Sequence, residues 1–270
     1  MLRAVGIQHL VTEQTDGCHV LVPEASAPQA AEQLRLYRGE NPPRRIVRWP
    51  SHPPSRGLVA TAAWTAVLAM AYVMQVRYAQ GVDWADLGQL IAGAVTRGEW
   101  WRAVTSLMLH ADLAHVAGNI VFGGFFGYLA GQYLGSGIAL LAILLAGAGG
   151  NLANAGIQIA AHRSVGASTA VFAALGIVAS CVWSVSRRFE LSWARRWSPV
   201  VGAVALLAFT GTGDERTDIM AHLFGFLAGV VTGWLLYRLP GIERPPQVVQ
   251  QVCAALSGLV IVCCWWLALR

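Results

Sequence analysis

Apolar residues in this chain come in long, nearly charge-free runs, separated by shorter polar stretches that carry most of the arginines. A helix needs roughly 20 apolar residues to cross the hydrocarbon core of a bilayer. Seven segments approach that length, near residues 58–77, 111–133, 137–159, 168–185, 198–212, 218–237 and 252–269, the fifth being short. The expected fold is an all-α polytopic membrane protein, a bundle of about seven transmembrane helices. Buried helices of a soluble protein are the competing reading, and so many long runs weigh against it.

Residues 1–45 read differently. His19-Val20-Leu21-Val22 has the look of a short strand, and Pro28 to Tyr37 that of a helix with a weak apolar stripe at Ala30, Ala31, Leu34 and Leu36. This predicts a small soluble α+β head, marginal in stability by itself. A proline- and arginine-bearing linker follows at 46–57. The main bundle is expected over 58–238, a second linker over 239–251 and an additional C-terminal helix over 252–270. The connection at about 78–110 is too long for a turn and too amphipathic for a tether, which suggests a partly membrane-embedded loop.

Composition agrees with the pattern. Of 270 residues, 56% are hydrophobic and 12% charged, where a soluble domain carries about a quarter charged. The net charge of +5 is no nucleic-acid footprint, because the arginines sit in alternate loops. Arg44, Arg45, Arg48 and Arg56 precede the first span, Arg187, Arg188, Arg195 and Arg196 separate the fourth and fifth, and Arg238 and Arg244 follow the sixth. The remaining loops are poorer in arginine or acidic. The positive-inside rule then puts the N-terminus in the cytoplasm of a cell with this protein in its inner or plasma membrane, and Arg270 on the opposite side. Cys18, Cys181, Cys253, Cys263 and Cys264 have no metal or disulfide spacing and read as structural thiols. The first 57 residues show no signal-peptide core, so the first span is expected to act as the targeting signal.

Ionisable and hydrogen-bonding groups inside spans are costly and mark candidate sites. Ser168 opens the fourth span among small neighbours, Gly166-Ala167-Ser168-Thr169. At a helix N-terminus, free N–H groups can stabilise a developing oxyanion. By itself such a serine is more often a packing residue. His222 lies one turn into the sixth span, and Gly225, Gly229 and Gly233 follow it on the same face. That seam admits another helix closely and could bring a hydroxyl to the imidazole, the usual base for a serine nucleophile. The bland reading is a histidine bonded to a carbonyl. His115 and Asn119 share a helix face after His110, and both could donate to an oxyanion or simply join helices. Three histidines could in principle hold zinc, but no carboxylate or cysteine stands near them and the HExxH pattern is absent, so no metal and no cofactor is expected. Asp218, four residues before His222, reads as a helix N-cap in preference to a third catalytic member.

In order along the chain, these motifs resemble the rhomboid family over about residues 58–238. The match comprises Trp101-Arg102, the order His110-x4-His115-x3-Asn119, Gly135-Ser136-Gly137, Gly166-x-Ser168, and Ala221-His222-x2-Gly225-x3-Gly229. The resemblance implies an intramembrane serine endopeptidase with a six-helix core, acting on single-span membrane proteins in the lipid bilayer near the face opposite the cytoplasm. It implies a dyad in which His222 deprotonates Ser168 and an acyl-enzyme forms. His115, Asn119 and the backbone N–H of Ser168 would make the oxyanion hole, and Phe172 would pack on the imidazole. Trp101-Arg102 would belong to a laterally inserted loop, while the fifth helix and a cap loop near 211–217 would gate substrate entry. Thr169 departs from the family, which usually has glycine there, and a β-branched side chain could crowd the oxyanion hole or add a donor. A rhomboid-like pseudoprotease that only binds membrane proteins is the alternative, although such proteins typically lack the serine or the histidine. A small-solute transporter should show internal repeats, and none is visible.

Overall fold

The computed structural model describes residues 1–14, 17–41, 55–189, 192–211, 218–242 and 244–270. Most of the expected linker at 46–57 and nearly all of the expected cap loop at 211–217 lie outside these residues. The chain divides into two units, Met1–Pro50 and Ser51–Arg270.

In the first unit, strands β1 (Leu10–Gln14) and β2 (Gly17–Leu21) pair antiparallel, Leu10 opposite Leu21. Helix α1 (Ala27–Glu40) follows, longer at its C-terminal end than the apolar stripe suggests. Leu2, Ile7 and Ala30 form its small core, with Val22 packed against them. Strand β1 is the partner that the sequence reading missed, because Leu10-Val-Thr-Glu-Gln lacks a sustained apolar alternation.

The second unit starts with α2 (Ser55–Val76). The connection that follows is structured: α3 (Trp84–Gly88), β3 (Leu90–Ile91), α4 (Ala92–Thr96) and α5 (Arg102–Thr105). Then come α6 (Leu113–Leu134), α7 (Ser136–Ile157), β4 (Arg163–Ser164), α8 (Ser168–Phe189), α9 (Trp193–Gly211), α10 (Ile219–Leu236) and α11 (Gln247–Ala268). β4 pairs antiparallel with β3. Among the described residues, six helices are long and apolar enough to cross a membrane: α2, α6, α7, α8, α10 and α11. The fifth expected span is the helix α9. Its apolar length is short because Arg195, Arg196 and Pro199 occupy its first turns.

Small residues decide how closely the central helices approach. A Cβ added at Gly225 would overlap the Thr169 carbonyl, and one at Gly229 the Ala173 carbonyl. From the facing side, a Cβ at Gly176 would overlap the Phe226 carbonyl. Helices α8 and α10 thus meet backbone to backbone along the predicted seam, a contact that only glycine permits. Ser180 adds an interhelical hydrogen bond of 2.7 Å to the Val230 carbonyl.

Candidate active site

Ser168 stands at the first turn of α8, and the backbone leading to it is held at two points. The Gly166 amide donates to the Ser106 carbonyl at 3.0 Å, and the Ala167 amide to Nε2 of His110 at 3.4 Å. Gly166 has φ +135°, and a Cβ there would sit 2.8 Å from the His115 ring. A side chain at 166 would therefore displace the imidazole beside the serine and strain the backbone.

His222 comes from the first turn of α10. Its Nε2 lies 2.8 Å from Ser168 Oγ, although 54 residues separate them. Phe172, one turn after the serine on α8, stacks on the His222 ring with centroids 4.5 Å apart and planes 15° apart. The imidazole is 4% exposed, and among the described residues its Nδ1 has no hydrogen-bond partner. Asp218 does not supply one. Its Oδ1 accepts from the Ala221 amide at 3.0 Å, which makes it the N-cap of α10 as expected. Its Oδ2 is engaged by Asn154 and His162.

His115 and Asn119 lie on one face of α6, with Asp112 capping the helix through the His115 amide at 2.8 Å. The Asn119 side-chain amide donates to the His115 carbonyl at 3.1 Å, and Trp64 of α2 donates to the Asn119 carbonyl at 3.0 Å. His110 packs edge-on behind His115, centroids 5.1 Å apart. Gln75 of α2 bonds both backbone groups of His110, accepting from its amide at 3.0 Å and donating to its carbonyl at 2.9 Å. His110 is fully buried, and burial, helped by the neighbouring His115, pushes its imidazole down to about 3. It is therefore neutral and able to accept the Ala167 amide.

Ser168, His222, His115, Asn119 and Phe172 all line one cavity of about 590 Å³. Gln89, Asp112, Arg163 and Asp218 give it polar walls, and Phe122, Val171 and Leu206 give it apolar ones. Leu206 brings α9 to its edge. Trp101 and Arg102 are not among the lining residues. Arg102 braces the loop instead, pairing with Glu99 at 2.6 Å and donating to the Gln89 carbonyl at 2.9 Å. Gly225 and Gly229 act in the α8–α10 seam, away from the cavity. Thr169 also points away: it is buried, and its methyl group faces Gly150 and Gly225. Thr169 is thus directed toward α7 and α10 and not toward the cavity. Of the residues that sequence reasoning missed, Gln75 and Asn154 lie near span ends and His162 between spans, where a search for polar groups within apolar runs passes over them, while Trp64, inside α2, counts as apolar in such a search. Among the described residues, no three of His, Cys, Asp and Glu converge as a metal site.

The chain matches the family model described as "Rhomboid domain" over residues 97–239, slightly more than half its length. It is 32% identical to Rhomboid-like protease 3 of Toxoplasma gondii over 65% of this chain and 67% of that protein. It is 28% identical to Putative rhomboid protease YdcA of Bacillus subtilis over 57% of this chain and 76% of that one. With Rhomboid protease GluP of the same bacterium, identity is 35% over 50% of this chain and 26% of the relative. A bundle of membrane-crossing helices, a serine and a histidine joined across two of them, and a domain match covering most of that bundle lead to one conclusion: this multi-pass membrane protein belongs to the rhomboid family.

Proposed function

We propose that this chain is an intramembrane serine endopeptidase that cleaves single-span membrane proteins near the extracytoplasmic face of the cell membrane, with its own N-terminus in the cytoplasm. The observation that carries this reading is the 2.8 Å contact between Ser168 Oγ and His222 Nε2 within a cavity of the bundle. The protease names of its relatives agree with it.

In this mechanism His222 Nε2 takes the Ser168 proton as Oγ attacks a peptide carbonyl. The carbonyl oxygen gains charge beside the Ser168 amide at the start of α8, the His115 ring and the second N–H of Asn119. Donors already in place there stabilise the tetrahedral intermediate without reorganisation, an effect on the order of a hundredfold or more for each donor. The imidazolium then gives its proton to the leaving amine, and an acyl-enzyme remains on Ser168. Water, activated by the same imidazole, attacks the ester and restores Oγ–H. Phe172 keeps the ring in plane throughout. Among the described residues no acid sits on Nδ1, which supports reading the catalytic unit as a dyad.

Reconstitution in liposomes with a single-span substrate tests the reading. Ser168→Ala and His222→Ala should each lose cleavage by at least about a thousandfold, and a fluorophosphonate should label Ser168 of the parent only. Cleavage by Ser168→Ala at the parental rate, or labelling of another residue, would overturn it.

A further inference from the structure

The two members of the dyad are held at their helix starts by separate fastenings. Ser168 is fixed through Gly166 to Ser106 and through Ala167 to His110. Among the described residues, His222 is held by its amide, which donates to the Asp218 carbonyl at 3.2 Å, by its contact with Ser168 and by the Phe172 stack. The seam glycines begin at Gly225, after His222, so they set the spacing of the helices below it. What holds the first turn itself is the capping carboxylate of Asp218.

That carboxylate is tied on both sides. The Asn154 side chain, fully buried at the end of α7, donates to Asp218 Oδ2 at 2.6 Å. His162 Nε2 lies 2.7 Å from the same oxygen. His162 is itself held in the frame: the Ala92 amide donates to its carbonyl at 3.0 Å, and Gly93 likewise to the carbonyl of Ala160, extending the β3–β4 pairing. The chain then runs through Arg163 and Ser164 to Ser168 six residues later. One side chain therefore links the segment that delivers the nucleophile to the cap of the helix that delivers the base.

We propose that His162 is a positioning residue for the reaction, acting through Asp218 to fix the height and rotation of the first turn of α10 and so the 2.8 Å separation of Ser168 and His222. It is not a catalytic residue, since it is not among those lining the cavity. Asp218 is likewise excluded as a relay, because both its oxygens are engaged away from His222 Nδ1. A misplacement of about 1 Å between reacting groups costs on the order of a hundredfold in rate. A side chain that holds a helix start can therefore affect kcat strongly while contributing little to overall stability.

The inference rests on the proteolytic reading above, and the test separates the two. His162→Leu removes the donor, whereas His162→Gln can place an amide N–H near the position of Nε2. In liposomes His162→Leu should lower kcat about tenfold with KM unchanged and the melting temperature close to parental, and His162→Gln should restore kcat to within about twofold of parental. Equal losses in Leu and Gln, a parental kcat in His162→Leu, or a loss confined to KM would overturn the proposal. Hydrogen exchange gives a readout independent of activity: the amides of Ala221 and His222 should exchange faster in His162→Leu than in the parent and in His162→Gln. If the parent neither cleaves nor labels at Ser168, the protease reading fails, and unchanged exchange in His162→Leu would then refute the tie by itself.

Discussion

Helices α8 and α11 are both apolar runs of membrane-crossing length, yet they occupy opposite environments. Of the apolar window of α8, 83% is buried within the bundle; for α11 the figure is 11%. Hydropathy cannot separate them, because lipid and protein interior are equally free of water. Side-chain size separates them. α8 carries Ala170, Ala173, Ala174, Gly176 and Ala179, and its neighbours come within backbone contact. α11 turns Val248, Val252, Leu256, Leu259, Val262 and Trp266 outward. In a membrane bundle, small residues mark the faces where helices come within backbone contact.

The same substitution at two glycines puts this contrast at risk. At Gly229 a Cβ would overlap the Ala173 carbonyl and lie 2.8 Å from its carbonyl carbon and Cα, so α8 and α10 must separate. Gly229→Ala is expected to cost about 2–3 kcal/mol and to lower cleavage on the order of a hundredfold by moving His222 from Ser168. Thermal unfolding in detergent and a cleavage assay check both. A variant with parental melting and activity would mean that α8 and α10 are less closely apposed than described.

How much of this was legible beforehand follows the same division. The spans, the seam at Gly225, Gly229 and Gly233, and the cap at Asp218 are local patterns with a fixed period or a fixed offset, and they can be read from sequence alone. Ser168 and His222 stood out because polar groups within apolar runs are few. What escaped was non-local. Nothing near His162 in sequence announces Asp218, 56 residues away, and Gln75 meets His110 only because α2 packs beside α6. Whether Thr169 crowds the site or adds a donor also depends on a direction, toward the cavity or toward Gly150, that a residue's position in the motif does not specify.

A second way to sharpen the comparison concerns what fastens α11, given how little of it is buried. Gln250 accepts from the Gly137 and Ile138 amides at 2.7 and 3.1 Å and donates to the Leu134 carbonyl at 2.9 Å. One side chain thus satisfies the last turn of α6 and the first of α7 across the sharp corner at Gly135, φ +83°. Trp265 lies against Trp84 and Gly88 of the preceding loop. Gln250→Ala leaves three backbone groups without a protein partner and is expected to cost about 1–3 kcal/mol, while kcat stays within about twofold of parental because the corner is remote from the cavity. A melting temperature equal to that of the parent would show that water or headgroups replace the glutamine at no cost.

The smallest effect carries the opposite sign. Gly258 lies in the middle of α11, and a Cβ added there meets nothing within 4 Å. The Gly258 position therefore combines helical backbone with open, lipid-side space. Alanine fits without displacing any neighbour and restricts the unfolded chain more than glycine does. Gly258→Ala should therefore be neutral or raise stability by about 0.5 kcal/mol, with cleavage unchanged, whereas Gly229→Ala lowers both. Two identical substitutions, each in an apolar helix and 29 residues apart, would then differ in sign solely because one glycine faces a backbone and the other faces lipid. If Gly258→Ala destabilises by more than about 1 kcal/mol, α11 has a close partner on that face, and its assignment as the lipid-facing member of the pair is wrong.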